Sequence, residues 1–120
     1  MATINESLND LLSIDGAMCA AVVDASSGMM LGSAGTGLDL EVAAAGNTEV
    51  VRAKLKVMRA LGLGNEGIED ILITLGKQYH IIRPMVRKEG VFIYYVLDKS
   101  RANLAMARRK VLEVEKDLNF

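Results

Sequence analysis

The chain has 120 residues, 51% of them hydrophobic and 24% charged, and a formal net charge of −1. That is the make-up of one ordinary globular domain, residues 1–120, long enough to bury a core unaided and too rich in apolar residues to be disordered. The missing excess of Lys and Arg argues against nucleic-acid binding, and a single cysteine (Cys19) with a single histidine (His80) leaves no intramolecular disulfide and no metal site.

The first ten residues carry no basic segment followed by an apolar run, so no secretory signal is expected. No apolar stretch reaches the roughly 20 residues that span a bilayer. The expectation is a cytoplasmic protein without membrane insertion, in which Asn5-Glu6-Ser7 is not glycosylated.

The first predicted element is a short helix. Thr3 and Glu6 have capping-box spacing, and Ile4, Leu8, Leu11 and Leu12 share one face. Asp15-Gly16 ends it. Residues 17–23 read as a strand that is small and apolar on both faces. Turn chemistry at 24–28 leads to a returning strand over 29–31. Met29 and Met30 at the hairpin tip are core filler or adaptable contact residues.

After the loop Gly35-Thr36-Gly37, with Thr36 and Asp39 at capping spacing, a long helix is expected over 38–61, about 36 Å at the usual rise. One face carries Leu40, Ala44, Asn47, Val51, Leu55 and Met58. A second carries Ala43, Gly46, Val50 and Val57. A charged stripe holds Glu41, Thr48, Arg52, Lys56 and Arg59. A helix packed on one sheet needs a single apolar stripe, so the second asks for another partner.

Residues 62–67 read as a flexible connection. Strands follow at about 69–75, 78–84 and 91–97, apolar on both faces and therefore in need of cover on both sides. Gly76-Lys77 is a two-residue turn in which Gly76 would take the positive φ of type II′. Arg87 to Gly90 makes the next turn. A last helix over 102–118, capped by Asp98 or Ser100, has the seam Leu104, Ala107, Val111, Val114 and Leu118. The order implies an α+β fold, α-β-β-α-β-β-β-α, with a five-stranded antiparallel sheet and helices on both faces.

No catalytic constellation stands out. Gly62-Leu63-Gly64-Asn65-Glu66-Gly67 matches G-x-G-x-x-G, but it follows a helix and precedes a strand, the reverse of a dinucleotide site, and reads as a helix cap and loop. There is no P-loop. Cys19 reads as a small buried hydrophobe and His80 as a half-buried strand residue. Glu69-Asp70 and Glu113, Glu115 and Asp117 read as carboxylates on element edges or a solvated face. Arg108-Arg109-Lys110 and Arg87-Lys88 read as solvated basic clusters. No catalytic, cofactor-binding or metal residue is assigned, and no cofactor is expected.

Several stretches together resemble the roadblock/dynein light chain family: AAVVDASSGMMLGS, EVAAAGNTEVVRAKLKVM, IEDILITLGKQYHIIRP and YYVLDKSRANLAMARRKVLEVEKDL. The hairpin pattern D-x-x-S-G-M and the D-x-x-x-A-N-L-A-x-A-R start of the last helix are the more specific parts. The resemblance implies a profilin-like roadblock fold and a homodimer. The long helices would lie side by side, and the third strands would pair across the two-fold axis. Ala43, Gly46, Asn47, Val50 and Val57, with Asp70, Ile71 and Ile73, would then line the dimer interface. It further implies a non-catalytic module that binds and regulates a small Ras-like GTPase through the paired helices, here Glu41, Glu49, Arg52, Lys56 and Arg59. A dimeric adaptor or scaffold, and a small-molecule sensor of profilin or PAS type, are the competing readings. With 4% aromatic residues, a lined pocket is expected to be poorly supplied.

Overall fold

The computed structural model describes residues 2–120. Its elements are α1 (Ile4–Leu11), β1 (Ala17–Asp24), β2 (Met29–Gly35), α2 (Leu40–Ala60), β3 (Ile71–Thr74), β4 (Gln78–Pro84), β5 (Val91–Asp98) and α3 (Leu104–Asp117). All strand pairs are antiparallel, in the order β2-β1-β5-β4-β3. The expected fold and element order are present.

The most apolar strands, β1 and β5, hold the centre. Cys19 to Val23 and Val91 to Leu97 are all buried. Along β5, Ile93, Tyr95 and Leu97 join the core under α1 and α3, while Phe92, Tyr94 and Val96 join the core under α2. The period-two alternation of a strand therefore feeds two hydrophobic layers. Helix α2 carries the chain from the β2 edge of the sheet to the β3 edge, and lies mainly across β1 and β2.

Local chemistry sets the helix ends. In α1 the capping box is complete: the Glu6 N–H donates to Thr3 Oγ1 at 3.2 Å and the Thr3 N–H to Glu6 Oε1 at 3.0 Å. Helix α2 is capped by Asp39, whose carboxylate accepts from the N–H groups of Glu41 and Val42 at 3.1 and 3.3 Å. Thr36 is not its cap, because its N–H is held by the Met18 carbonyl at the end of the sheet. At the other end Gly62, at φ +77°, forms a Schellman cap: its N–H donates to the Arg59 carbonyl and that of Leu63 to Met58. The glycine-rich motif is thus a helix terminator. Helix α3 is capped by Asn103, which accepts from the Met106 N–H at 3.0 Å. Asp98 instead ties the turn before it, bonding Ser100 through N–H and hydroxyl.

Other expectations shift in detail. The returning strand continues to Gly35, where an added Cβ would lie 2.3 Å from the Met18 carbonyl oxygen. Gly76 does not adopt a positive φ; its turn is closed by the Leu75 N–H donating to Gln78 and braced by the Lys99 N–H donating to Lys77. Thr48 lies not in the charged stripe but against the sheet, 2% exposed, with its hydroxyl donating to the Ala44 carbonyl.

Two groups expected to be solvated are structural. Glu115 is 4% exposed. It accepts from Arg83 Nε at 2.9 Å and from the Val86 N–H at 3.1 Å, joining α3 to β4 and the turn after it. Arg83 also donates to the Glu69 carbonyl at 2.6 Å, which draws the chain ahead of β3 onto β4 and leaves β3 shorter than expected. Arg87 caps the C-terminal carbonyls of α3 at Glu115, Lys116 and Leu118. Lys88 donates to the Phe120 carbonyl and stands 4.6 Å from the centroid of its ring. Apart from the Arg83–Glu69 bond, these bonds cross about thirty residues of chain, beyond the reach of any local pattern.

On the α2 side, His80 Nδ1 lies 2.9 Å from the Tyr94 hydroxyl and Nε2 lies 2.9 Å from Gln78 Oε1, which suits a neutral ring protonated at Nε2. Burial holds the His80 pKa below its ordinary 6.5. Burial, with Cys19 nearby, pushes the Tyr94 hydroxyl up to about 12.

Two outcomes follow. Glu115→Ala leaves the Arg83 guanidinium and the Val86 N–H without their acceptor in a buried site, so urea unfolding should show a loss of about 3 kcal/mol. A loss under about 1 kcal/mol would mean that solvent replaces the carboxylate freely. His80 binds its proton less readily in the folded chain than in the unfolded one. Its contribution is therefore full above about pH 6.5 and is lost as pH falls through the lower folded value. The decline in stability between pH 7 and pH 5 should be shallower in His80→Gln; equal slopes would remove His80 as its source.

Candidate interaction surface

The 21 residues of α2 have two apolar sides. Ala44, Thr48, Val51 and Met58 are buried on the sheet. Opposite them at helical spacing stand Val42, Val50 and Val57, which are 68%, 38% and 48% exposed. Gly46, Ala53 and Ala60 complete this outer seam. Of the expected second stripe, Gly46, Val50 and Val57 are exposed here and Ala43 is half-buried, while Val42, Ala53 and Ala60 are exposed beside them. The 100° step per residue, centred on the buried side, places these last three on the seam.

Gly46 has no role inside the chain. A Cβ placed there meets nothing within 4 Å. A glycine in mid-helix costs about 1 kcal/mol relative to alanine, and no packing within this chain offsets it. Ala43 and Asn47 lie at the border of the seam, half-buried, with Asn47 Nδ2 donating to the Ala43 carbonyl at 2.8 Å.

Strand β3 forms one edge of the sheet, next to β4 only. Ile71 pairs with Ile82 and Ile73 with His80, so both isoleucines face the α2 side. Both are half-buried. Asp70, expected on this interface, is engaged within the chain: Arg108 donates two bonds to its carboxylate at 2.9 and 3.0 Å, pinning the start of β3 to α3.

The charged stripe runs beside the seam. Arg52 is committed in part: Nη2 donates to the Ser26 carbonyl at 2.9 Å and Nη1 lies 3.9 Å from Glu49. Glu41, Lys56 and Arg59 are exposed and have no side-chain partner among the described residues. Within this stripe the freely available positive charge is thus Lys56 and Arg59; Lys54, also exposed and without a side-chain partner among the described residues, lies on the other flank of the seam.

Cys19 and His80 do not meet. Each pairs with Val96 from opposite sides, which sets them two strand spacings, about 9.6 Å, apart. Burial raises the Cys19 pKa. Among the described residues no three His, Cys, Asp or Glu side chains are gathered to hold a metal ion. Among the described residues no helix is long and apolar enough to cross a membrane.

No family model matches the chain, and no curated protein matches it. Solved structures do. The Roadblock/LC7 domain from Streptomyces avermitilis superposes with a TM-score of 0.81 at 11% identity, covering 96% of this chain and 93% of that one. A structure of MglB with tetrameric arrangement gives 0.81 at 16% identity, over 94% and 82%. Myxococcus xanthus MglB gives 0.74 at 16% identity, over 92% and 83%. Over nine-tenths of its length the chain superposes on these structures, and its element order fits theirs: the chain has the roadblock fold.

Proposed function

We propose that the chain works as one cytoplasmic, non-catalytic domain, a homodimer that binds and regulates a small Ras-like GTPase. The observation that carries the reading is the outer seam of α2, apolar and exposed, with a glycine that nothing in the chain requires. Two such seams packed antiparallel are self-complementary, as a two-fold contact demands, and Gly46 lets the backbones approach closely. Ile71 and Ile73 at the β3 edge extend the apolar surface, and pairing of two β3 strands would protect that edge. Asp70 contributes by holding β3 in place rather than by reaching the partner. That an MglB structure of the same fold has a tetrameric arrangement supports self-association.

The resemblance to roadblock proteins supplies the GTPase. Doubled by the two-fold axis, Lys56 and Arg59 would form a basic strip beside the seam, suited to an acidic face of the partner. Glu41, Glu49 and Arg52 line its border, Arg52 with its charge already shared.

Light scattering should give twice the 12.9 kDa of one chain at micromolar concentration. Ala53→Glu should give a folded monomer, because it places like charges across the axis in an apolar seam. A monomeric parent chain, or an Ala53→Glu variant that stays dimeric, would sink the seam. Lys56→Glu with Arg59→Glu should weaken capture of a cognate Ras-like GTPase by about tenfold, more steeply at low salt, and leave the dimer intact. Capture unchanged by the double reversal would remove this stripe as the binding surface.

A further inference from the structure

A cleft of about 460 Å³ opens between the second half of α2, the connection to β3, and the β1–β2 and β4–β5 turns. Its α2 residues, Val51, Arg52 and Leu55, lie toward the core-facing side of the helix, away from the seam. Its floor is apolar, with Val51, Leu55 and Phe92 among the lining side chains. Its rim carries Arg52, Glu66 and Glu89. These three charges are not equivalent. Arg52 is held by the Ser26 carbonyl and approaches Glu49. The side chains of Glu66 and Glu89 are exposed and have no hydrogen-bond or ion-pair partner among the described residues. Two carboxylates against one guanidinium leave the charged lining net negative, over an apolar floor.

We propose that this cleft is a docking site for a segment of a partner protein that presents a bulky apolar side chain next to Lys or Arg. The volume falls within the range of binding clefts. The apolar anchor would displace water from Leu55 and Ile68, and a flanking cation would meet Glu66 or Glu89. Interfaces concentrate binding energy in such a pocketed anchor, with charge at the edge setting selectivity. Arg52, in the same lining, disfavours a cation beside itself and so directs the flanking charge to the carboxylates.

The test uses the full chain and two peptides of equal length and opposite charge, acetyl-Lys-Phe-Lys-amide and acetyl-Glu-Phe-Glu-amide, titrated to millimolar concentration and followed by amide chemical shifts. The basic peptide should shift the amides around Leu55, Gly67 and Phe92 and bind about fivefold more tightly than the acidic one. Glu66→Gln with Glu89→Gln lies on the exposed surface and should keep the fold while removing that preference. Equal binding of the two peptides, binding of neither, or shifts away from the cleft would each overturn the proposal. So would a preference that survives the double substitution. Shifts at the cleft on concentrating the chain alone would assign the site to a second copy and overturn it as well.

Discussion

A sheet whose two central strands are apolar on both faces cannot lie against water on either side. Strands β1 and β5 impose that constraint here, and the rest of the architecture meets it. Helices α1 and α3 cover one face and α2 covers the other, so the chain must cross the sheet from the β2 edge to the β3 edge. The crossing explains the length of α2. It also places a long helix on the outside of the molecule, where its far side is free to do something other than stabilise the fold.

The proposed function rests on that far side. A helix that only covered a sheet would be polar on its outer surface. Helix α2 instead carries valines, alanines and a glycine there, flanked by Lys54, Lys56 and Arg59, which have no side-chain partner among the described residues. The edge strand β3 brings Ile71 and Ile73 to the same side of the sheet. The apolar area left over after the chain has folded is thus gathered along one helix and one edge. The positions that hold the fold, Ala44, Val51 and Met58, alternate with those left free, Val42, Val50 and Val57.

The free edge is held in place by charge. Arg83 and Glu115 join β4 to α3, Arg83 reaches the chain ahead of β3, and Arg108 clamps Asp70 at the start of it. Such pairs contribute geometry more surely than net stability, since each buried charge must first leave water. Here they fix the entry of a short strand that has a neighbour on one side only.

What the sequence determined by itself was whatever depends on neighbours within a turn or two. The capping box of Thr3 and Glu6, the bounds of β4, the two-sided β5, the seam of α3 and the surplus stripe of α2 follow from periodicity and short-range hydrogen bonding. The tertiary structure decided the rest, for one physical reason: the partners are distant in the chain. Glu115 reads as solvated on its own helix and is buried because Arg83 waits on β4. Asp70 reads as a carboxylate at an element edge and is bound by Arg108 from α3. Arg52 reads as a free charge and is tethered to the hairpin turn at Ser26. The cleft, which the scarcity of aromatic residues argued against, is assembled from four separate segments, each ordinary in isolation. Periodicity identifies which faces are apolar; only the folded chain decides which of them remain uncovered.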